Sequence, residues 1–202
     1  MAEFVDGFQF ITDFKRSVTV FGSSSLNEEH PDYKKARHLG NLLVREDFAV
    51  ITGGGPGIME AGNRGAYEEE GDSVGINIQI EKGERANKYL KHSIGFYYFF
   101  TRKVMLSFSS SGYVFFPGGF GTLDEFFEII TLVQTKKIPK KVAIVAVGRE
   151  YWEPLFEWIR ETLCYKYGTI KEENLEIFHL VDTPEEALDI IKETIEENKN
   201  GE

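Results

Sequence analysis

The sequence predicts an α/β protein of three layers, in which a mostly parallel sheet is flanked by helices on both faces. Short apolar runs alternate with amphipathic stretches from one end of the chain to the other. The strand-like runs are almost continuously apolar, which is typical of parallel strands buried on both faces. The 202 residues are 42% hydrophobic and contain no internal repeat or Pro/Gly-rich linker. We therefore expect a single domain over residues 1–202, with a polar, frayed tail from about residue 196.

The first half of the chain alternates strands with helices. A β-branched run predicts a strand at Ser17–Phe21, which ends at Gly22 and three serines. Apolar residues at helical spacing then predict a helix over Pro31–Arg45. The same reasoning predicts strands at Phe48–Ile51 and Ser73–Asn77, a helix at Ile58–Glu70 and a loop over the sheet edge at Gln79–His92.

The second half continues this alternation. A run of aromatic residues predicts a strand at Ile94–Phe100. Thr183 with Pro184 and Glu186 has the spacing of a capping box and predicts the start of the last helix. Between these two features we expect strands at Tyr113–Phe116, Val142–Val147 and Leu175–Val181, and helices at Arg102–Ser109, Thr122–Thr135 and Trp152–Leu163.

Charge and composition exclude several classes of partner. The formal net charge of −10 repels phosphate backbones and anionic lipid, so we expect no polymeric nucleic acid and no membrane as partners. No apolar stretch approaches the ~20 residues of a membrane helix, and acidic residues interrupt the N-terminus where a signal peptide would be apolar. The single Cys164 fits a reducing, cytoplasmic location. The four histidines lack paired spacing, so we expect no metal site.

Two glycine-rich segments, Thr52–Glu60 and Pro117–Glu125, each follow a predicted strand and open a predicted helix. Glycine lets backbone N–H groups approach a ligand, and a helix N-terminus favours an anion, so the pair indicates a phosphate site. A tight turn without a ligand is the alternative for either segment. Neither segment is a Walker A loop, and the first does not have the dinucleotide spacing. The pattern therefore favours a mononucleotide over a redox dinucleotide.

Two charged side chains near these segments have both a structural and a chemical interpretation. Glu125 follows the second glycine-rich segment. It is either a helix cap or a carboxylate beside a bound sugar phosphate, where it would stabilise a cation or activate water. Arg102 stands in an aromatic and aliphatic stretch. It is either a snorkelling surface residue, which the sequence alone favours, or a ligand contact at the mouth of a cleft.

These motifs together resemble the LOG (Lonely Guy) family, whose older label is "possible lysine decarboxylase". The resemblance extends over about Val18 to Val147 and rests on Gly53–Ala61, Thr101–Met105, Pro117–Glu125 and Ile129–Gln134. It implies a Rossmann-like fold and a homodimer without a cofactor. It also implies hydrolysis of a nucleoside 5′-monophosphate, AMP or N6-modified AMP, to free base and ribose 5-phosphate. In plant and many microbial members the base is an N6-prenylated adenine, a cytokinin.

The resemblance also assigns roles to individual residues. It implies that Arg102 and Glu125 are the catalytic pair, and that Lys103 and Thr131 are further ligand contacts. The phosphate would be bound by Gly118, Gly119, Gly121 and Thr122, and the adjoining wall would be formed by Gly53, Gly54, Gly55 and Gly57.

Some parts of this resemblance carry over less well. The stretch Glu81–Tyr98 differs from the short plant-type members, so the chain is more similar to bacterial relatives and its base pocket is not assigned. No lysine lies in a recognisable pyridoxal-binding context, which argues against lysine decarboxylation. Some relatives with the same architecture resemble molybdenum-cofactor carriers. A non-catalytic carrier of a nucleotide or of that cofactor is therefore the alternative function. Ile94–Phe100 and Thr122–Thr135 are the candidate dimer interface elements.

Overall fold

The computed structural model describes residues 2–78, 86–138 and 142–200, with side chains up to residue 198. Over these ranges the strands form one sheet in the order β4-β3-β2-β1-β5-β6-β7. All six pairings in it are parallel, so the mostly parallel sheet of the prediction is entirely parallel. The strands are β1 Ser17–Phe21, β2 Ala49–Thr52, β3 Ser73–Ile78, β4 His92–Phe96, β5 Gly112–Phe115, β6 Ala143–Val147 and β7 His179–Val181.

Helices cover both faces of this sheet and confirm the predicted three layers. They are α1 Ala2–Thr12, α2 Pro31–Arg45, α3 Ile58–Glu68, α4 Phe99–Phe108, α5 Phe120–Gln134, α6 Arg149–Trp158 and α7 Pro184–Asn200. Buried residues of α2, α3 and α7 share one core with one face of the strands. Those of α1, α4, α5 and α6 share a second core with the other face. Burial on both faces explains why the strands are almost wholly apolar.

The strand order places the carboxyl ends of β1 and β5 next to each other at the centre of the sheet. From β1 the chain proceeds outward through β2 to β4, and from β5 it proceeds the other way to β7. The loops after β1, β2 and β5 contact one another. Ser23 N donates to Pro117 O at 3.0 Å, and Ile58 N donates to Ser23 O at 2.9 Å. Ligands of open parallel sheets bind at such a reversal of strand order.

Most predicted elements are observed, and β1 and α2 have the predicted bounds. The capping box is also confirmed. Thr183 Oγ1 accepts from Glu186 N at 3.2 Å, and Glu186 Oε2 accepts from Thr183 N at 3.0 Å. The helix it starts continues to Asn200, so residues 196–200 are helical, and the fraying of this tail stays a prediction.

The predicted strand Ile94–Phe100 is wrong in its second half. Strand β4 ends at Phe96, and α4 begins at Phe99. Because β4 is an edge strand, the aromatic residues beyond it leave the sheet, and Tyr97 is 66% exposed. The predicted loop at Gln79–His92 ends one residue early because His92 already belongs to β4, and its residues 79–85 lie outside the described ranges.

Three further differences concern two elements between residues 149 and 181 and the N-terminal helix. The helix predicted at Trp152–Leu163 begins at Arg149 and continues as a π-helix at Ile159–Lys166. A 3₁₀-helix at Glu172–Glu176 replaces the start of the strand predicted at Leu175–Val181. Helix α1 was not predicted. It packs on α4 and β4, where a Cβ at Gly7 would lie 2.7 Å from Met105 Sδ and 2.9 Å from Phe96 Cζ. No helix in residues 2–78, 86–138 and 142–200 is long and apolar enough to span a membrane.

Candidate active site

A cleft of about 350 Å³ opens at the carboxyl ends of β1, β2 and β5. The loop after β1, the loop after β2, helix α4 and the start of α5 surround it. Its lining includes Phe21 to Ser25, Gly53, Met59, Phe99, Arg102, Leu106, Gly119, Gly121, Thr122, Asp124 and Glu125. Both glycine-rich segments and both candidate catalytic side chains therefore meet in one cavity, as the sequence predicts.

The first glycine-rich segment is a loop that only glycine allows. Gly54 and Gly57 have φ values of +74° and +71°, which residues with a Cβ rarely adopt. A Cβ at Gly57 would also overlap the carbonyl of Ser23, and one at Gly54 would overlap the side chain of Asn77. Of the glycines of this segment, Gly53 lines the cleft, whereas Gly54, Gly55 and Gly57 are not among its lining residues.

The second segment presents the N-terminus of α5 to the cleft. Gly119 is the N-cap residue, and its carbonyl accepts the first helical bond, from Leu123 N at 3.1 Å. The N–H groups of the first turn have no helical partner and favour an anion. A Cβ at Gly119 or Gly121 would meet no atom within 4 Å, so both face open space. Gly118 instead borders a neighbouring cavity of about 850 Å³, where its carbonyl accepts from Tyr151 OH at 2.6 Å.

Glu125 is a buried carboxyl group in the second turn of α5, with a relative exposure of 7%. It does not cap the helix, because α5 begins at Phe120 and the unpaired N–H groups precede Glu125. Its Oε2 atom is buried and has no hydrogen-bond partner among the described residues. Burial raises the pKa of Glu125 to about 7, against the opposing charge of Lys103. Such a carboxyl group exchanges a proton near neutral pH, as a general acid or base does.

Arg102 lies along the wall of the cleft and does not extend into solvent as the snorkelling interpretation holds. Its Nε donates to the carbonyl of Ile76 at 2.8 Å, and its Nη2 donates to that of Gly53 at 3.4 Å. The guanidinium carbon is 5.9 Å from the ring centre of Phe99. Two backbone carbonyls and an aromatic ring thus hold a permanent positive charge beside the cavity.

Lys103 and Thr131 border a separate, shallow groove of about 420 Å³ on the outer side of α5. Lys103 Nζ lies 2.6 Å from both Asp124 Oδ2 and Glu128 Oε2. The Thr131 hydroxyl donates to the carbonyl of Phe127 at 2.7 Å. In this structure Lys103 therefore acts on Glu125 through its charge, while its predicted ligand contact remains a prediction.

The cleft also contains residues that the sequence analysis did not assign. Ser23, Ser24 and Ser25 line it, which their position after the first strand allowed but did not establish. Met59 and Phe99 form its apolar side together with Leu106, and no periodic signal marked them. No group of three or more metal-ligating side chains is found in the described ranges.

Comparison with known proteins identifies the family. Residues 59–191 match the sequence model of the family described as "possible lysine decarboxylase". The chain is 26% identical over 183 residues to a probable cytokinin riboside 5′-monophosphate phosphoribohydrolase of Oryza sativa subsp. japonica, covering 88% of this chain and 72% of that protein. It is 25% identical over 147 residues to a cytokinin riboside 5′-monophosphate phosphoribohydrolase of Rhodococcoides fascians, covering 71% of this chain and 74% of that protein.

Among solved structures the fold is similar to the molybdenum cofactor binding protein of the phototrophic bacterium Rippkaea orientalis. The TM-score is 0.67 at 22% identity, covering 90% of this chain and 98% of that one. At this sequence identity the likeness shows that the two proteins share a fold, and it does not extend to the ligand. The family match and the two glycine-rich motifs together establish that the chain belongs to the "possible lysine decarboxylase" family, which is the LOG family.

Proposed function

We propose that the chain, as a single nucleotide-binding domain, hydrolyses the N-glycosidic bond of a nucleoside 5′-monophosphate. The products are free base and ribose 5-phosphate. The observation that carries the proposal is the buried carboxyl group of Glu125, whose Oε2 atom has no hydrogen-bond partner among the described residues and which lies in the same cleft, five residues beyond the N-terminal residue of α5. A site that only stored a phosphate would gain nothing from a carboxyl group beside it.

In this proposal the phosphate lies at the N-terminus of α5, where the amides of the first turn and the Thr122 hydroxyl donate to it. Gly119 and Gly121 leave room for the close approach. The base lies on the apolar side, toward Phe99 and Met59. Binding of the remote phosphate then fixes the anomeric carbon near Glu125, and this use of binding energy lowers the barrier of the chemical step.

The chemical step joins a water oxygen to C1′ while the bond from C1′ to the base nitrogen breaks. The electron pair of that bond leaves with the base, which takes a proton from solvent, and the proton that Glu125 accepts from the attacking water returns to solvent after the step. Ionised Glu125 stabilises the positive charge that develops on C1′ and the ring oxygen, and it accepts the proton of the attacking water. Arg102 offsets negative charge on the departing base. The proposal needs no metal and no organic cofactor.

The second candidate function is a carrier of a phosphate-bearing cofactor, favoured by the likeness to the molybdenum cofactor binding protein. Incubation with a panel of nucleoside monophosphates, followed by chromatography for free base, distinguishes the two. We expect base release from AMP or an N6-modified AMP, with ribose 5-phosphate in equal amount. Binding of a nucleotide without base release would overturn the hydrolase and support the carrier.

Lys103 should set the pH at which the enzyme becomes active. Because Glu125 must be ionised and burial raises its pKa to about 7, we expect kcat/KM to rise with pH and level off above about 7. The charge of Lys103 lowers the pKa of Glu125, so Lys103→Met should move this rise upward by about one pH unit. The measurement is a pH profile of base release from pH 5 to 9.

The matched control for that profile is Lys34→Met, which removes an exposed lysine on the opposite layer. The second ionisation of the substrate phosphate, with a pKa of about 6, affects the pH profiles of wild type, Lys103→Met and Lys34→Met equally. A shift shared by both variants, or none in Lys103→Met, would contradict the role of Lys103.

We also propose that the chain forms a homodimer through the aromatic residues around β4 and α4. Tyr97 and Phe100 are 66% and 58% exposed, and Phe120 at the start of α5 is 93% exposed. Tyr98 connects Tyr97 and Phe100, with ring centres 5.1 and 5.6 Å away, and exposed apolar surface of this kind is typical of an interface. Light scattering should give the mass of two chains, and Phe100→Glu with Tyr97→Glu should give the mass of one. A wild-type mass near 23.1 kDa would reject the dimer.

A further inference from the structure

Two backbone carbonyls, those of Ile76 and Gly53, accept hydrogen bonds from the Arg102 guanidinium group. Gly53 approaches so closely that a Cβ there would overlap Arg102 Nη2. Movement of Gly53 therefore alters one of the two carbonyl contacts of the guanidinium group and the space beside Nη2. Buried polar side chains hold the first glycine-rich loop in place.

Three buried polar side chains hold it, and the central one is Asn87, on the segment between β3 and β4. Its Nδ2 lies 3.2 Å from Gly54 O, 3.1 Å from Gly55 O and 3.0 Å from Asn63 Oδ1. Its backbone N–H donates to the same Gly54 carbonyl at 2.9 Å. Asn87 is 8% exposed, so these bonds are protected from exchange with water.

The network continues behind the loop into the sheet. Thr52 Oγ1 accepts from Gly54 N at 2.9 Å and donates to Asn63 Oδ1 at 2.5 Å. Asn63 Nδ2 donates to the carbonyl of Val74 in β3 at 3.2 Å. Thr52 and Asn63 have no exposed surface. The loop is therefore fixed from both sides, by α3 and β3 on one side and by Asn87 on the other.

We infer that Asn87 is a positioning residue for the proposed reaction: it acts through the glycine-rich loop to hold Arg102 against the cleft. The inference rests on the proposed function. Asn87 is not part of the cleft lining, so it does not touch substrate directly. Its two amide protons point to backbone carbonyls and to Asn63 Oδ1, and a carboxylate of the same shape would repel all of these acceptors.

The test is a double-mutant cycle of Asn87→Asp and Arg102→Ala, with base release from AMP as the measured rate. Asn87→Asp alone should lower kcat about 100-fold and change KM less than threefold, because it displaces a catalytic group and leaves the phosphate site intact. The double variant should be no slower than Arg102→Ala alone. A structural role for Asn87 would instead give two losses that multiply.

Asn41→Ala is the matched control, because Asn41 Nδ2 also donates to a backbone carbonyl, that of Gly65, but between α2 and α3. It should lower the melting temperature without the loss of kcat. Asn87→Ala, which introduces no charge, serves if Asn87→Asp does not fold.

The outcomes separate this inference from the proposed function. Multiplying losses, or full activity of the Asn87 variants beside an active wild type, overturn the inference alone. A wild type that binds AMP without base release overturns the hydrolase and, with it, the positioning role of Asn87 in that reaction. A wild type that neither cleaves nor binds a nucleotide overturns both.

Discussion

Glu125→Gln should slow base release from the preferred nucleoside monophosphate by more than about 100-fold, while the dissociation constant of that nucleotide changes little. Glutamine has the size of glutamate but neither carries the negative charge that stabilises the sugar cation nor accepts a proton from water. The phosphate site at the start of α5 is untouched by the change. Single-turnover base release, with binding measured by calorimetry, separates the two effects.

The free energy of unfolding, measured as a function of pH, shows whether the Glu125→Gln variant is folded. The folded-state pKa of Glu125 is raised from 4.5 to about 7, so the folded wild type binds a proton more tightly than the unfolded chain. Its stability therefore falls as pH rises from about 4.5 to about 7. Above pH 7 the variant should be more stable than wild type by on the order of 2–3 kcal/mol, and near pH 4 the two should be equal.

Glu153→Gln, an exposed change on α6, is the control and should leave the rate and the pH dependence of stability unchanged. A Glu125→Gln enzyme that is folded, binds the nucleotide and releases base at the wild-type rate would remove Glu125 from the mechanism.

Gly57→Ala should lower the free energy of unfolding by about 3 kcal/mol and the melting temperature by about 10 °C. Gly57 has a φ of +71°, and an added Cβ would overlap the backbone of Ser23 and Ser24. These two serines line the cleft, so the loops must separate where the site is built. Calorimetric unfolding measures the loss, and base release should fall with it.

Gly121→Ala is the matched change in the second glycine-rich segment and should have the opposite profile. Its Cβ would meet no protein atom within 4 Å, and alanine favours a helix over glycine by about 0.5–1 kcal/mol. We therefore expect full stability but weaker nucleotide binding, because the methyl group occupies the space proposed for the phosphate. Equal stability of Gly57→Ala and Gly121→Ala would contradict the structural role of Gly57.

The fold was predictable because most elements repeat one physical pattern. Ser17–Phe21 is apolar throughout because the strand is covered on both faces, and Pro31–Arg45 has one buried stripe. The predictions failed where tertiary context decides. Ile94–Phe100 has a strand-like composition, but β4 is an edge strand with a neighbour on one side only, and helix α4 already begins at Phe99.

The site was predictable to the extent that its residues lie in short sequence motifs. The glycines of both segments and Glu125 are close in sequence to the strand ends that bring them together. Arg102 was different, because contacts that are remote in sequence, such as the carbonyls of Ile76 and Gly53, distinguish it from a surface residue. Asn87 had no signal either, since it is separated from Gly54 by 33 positions and no pattern connects them.

The measurement that tests the account most directly is a crystal structure of Glu125→Gln soaked with AMP, since the variant should hold uncleaved substrate. We expect phosphate oxygens within about 3 Å of the amides of Gly121 and Thr122, and the side chain of residue 125 facing the anomeric carbon. A nucleotide bound in the neighbouring cavity beside Gly118 and Tyr151, with residue 125 turned away and the cleft empty, would contradict it.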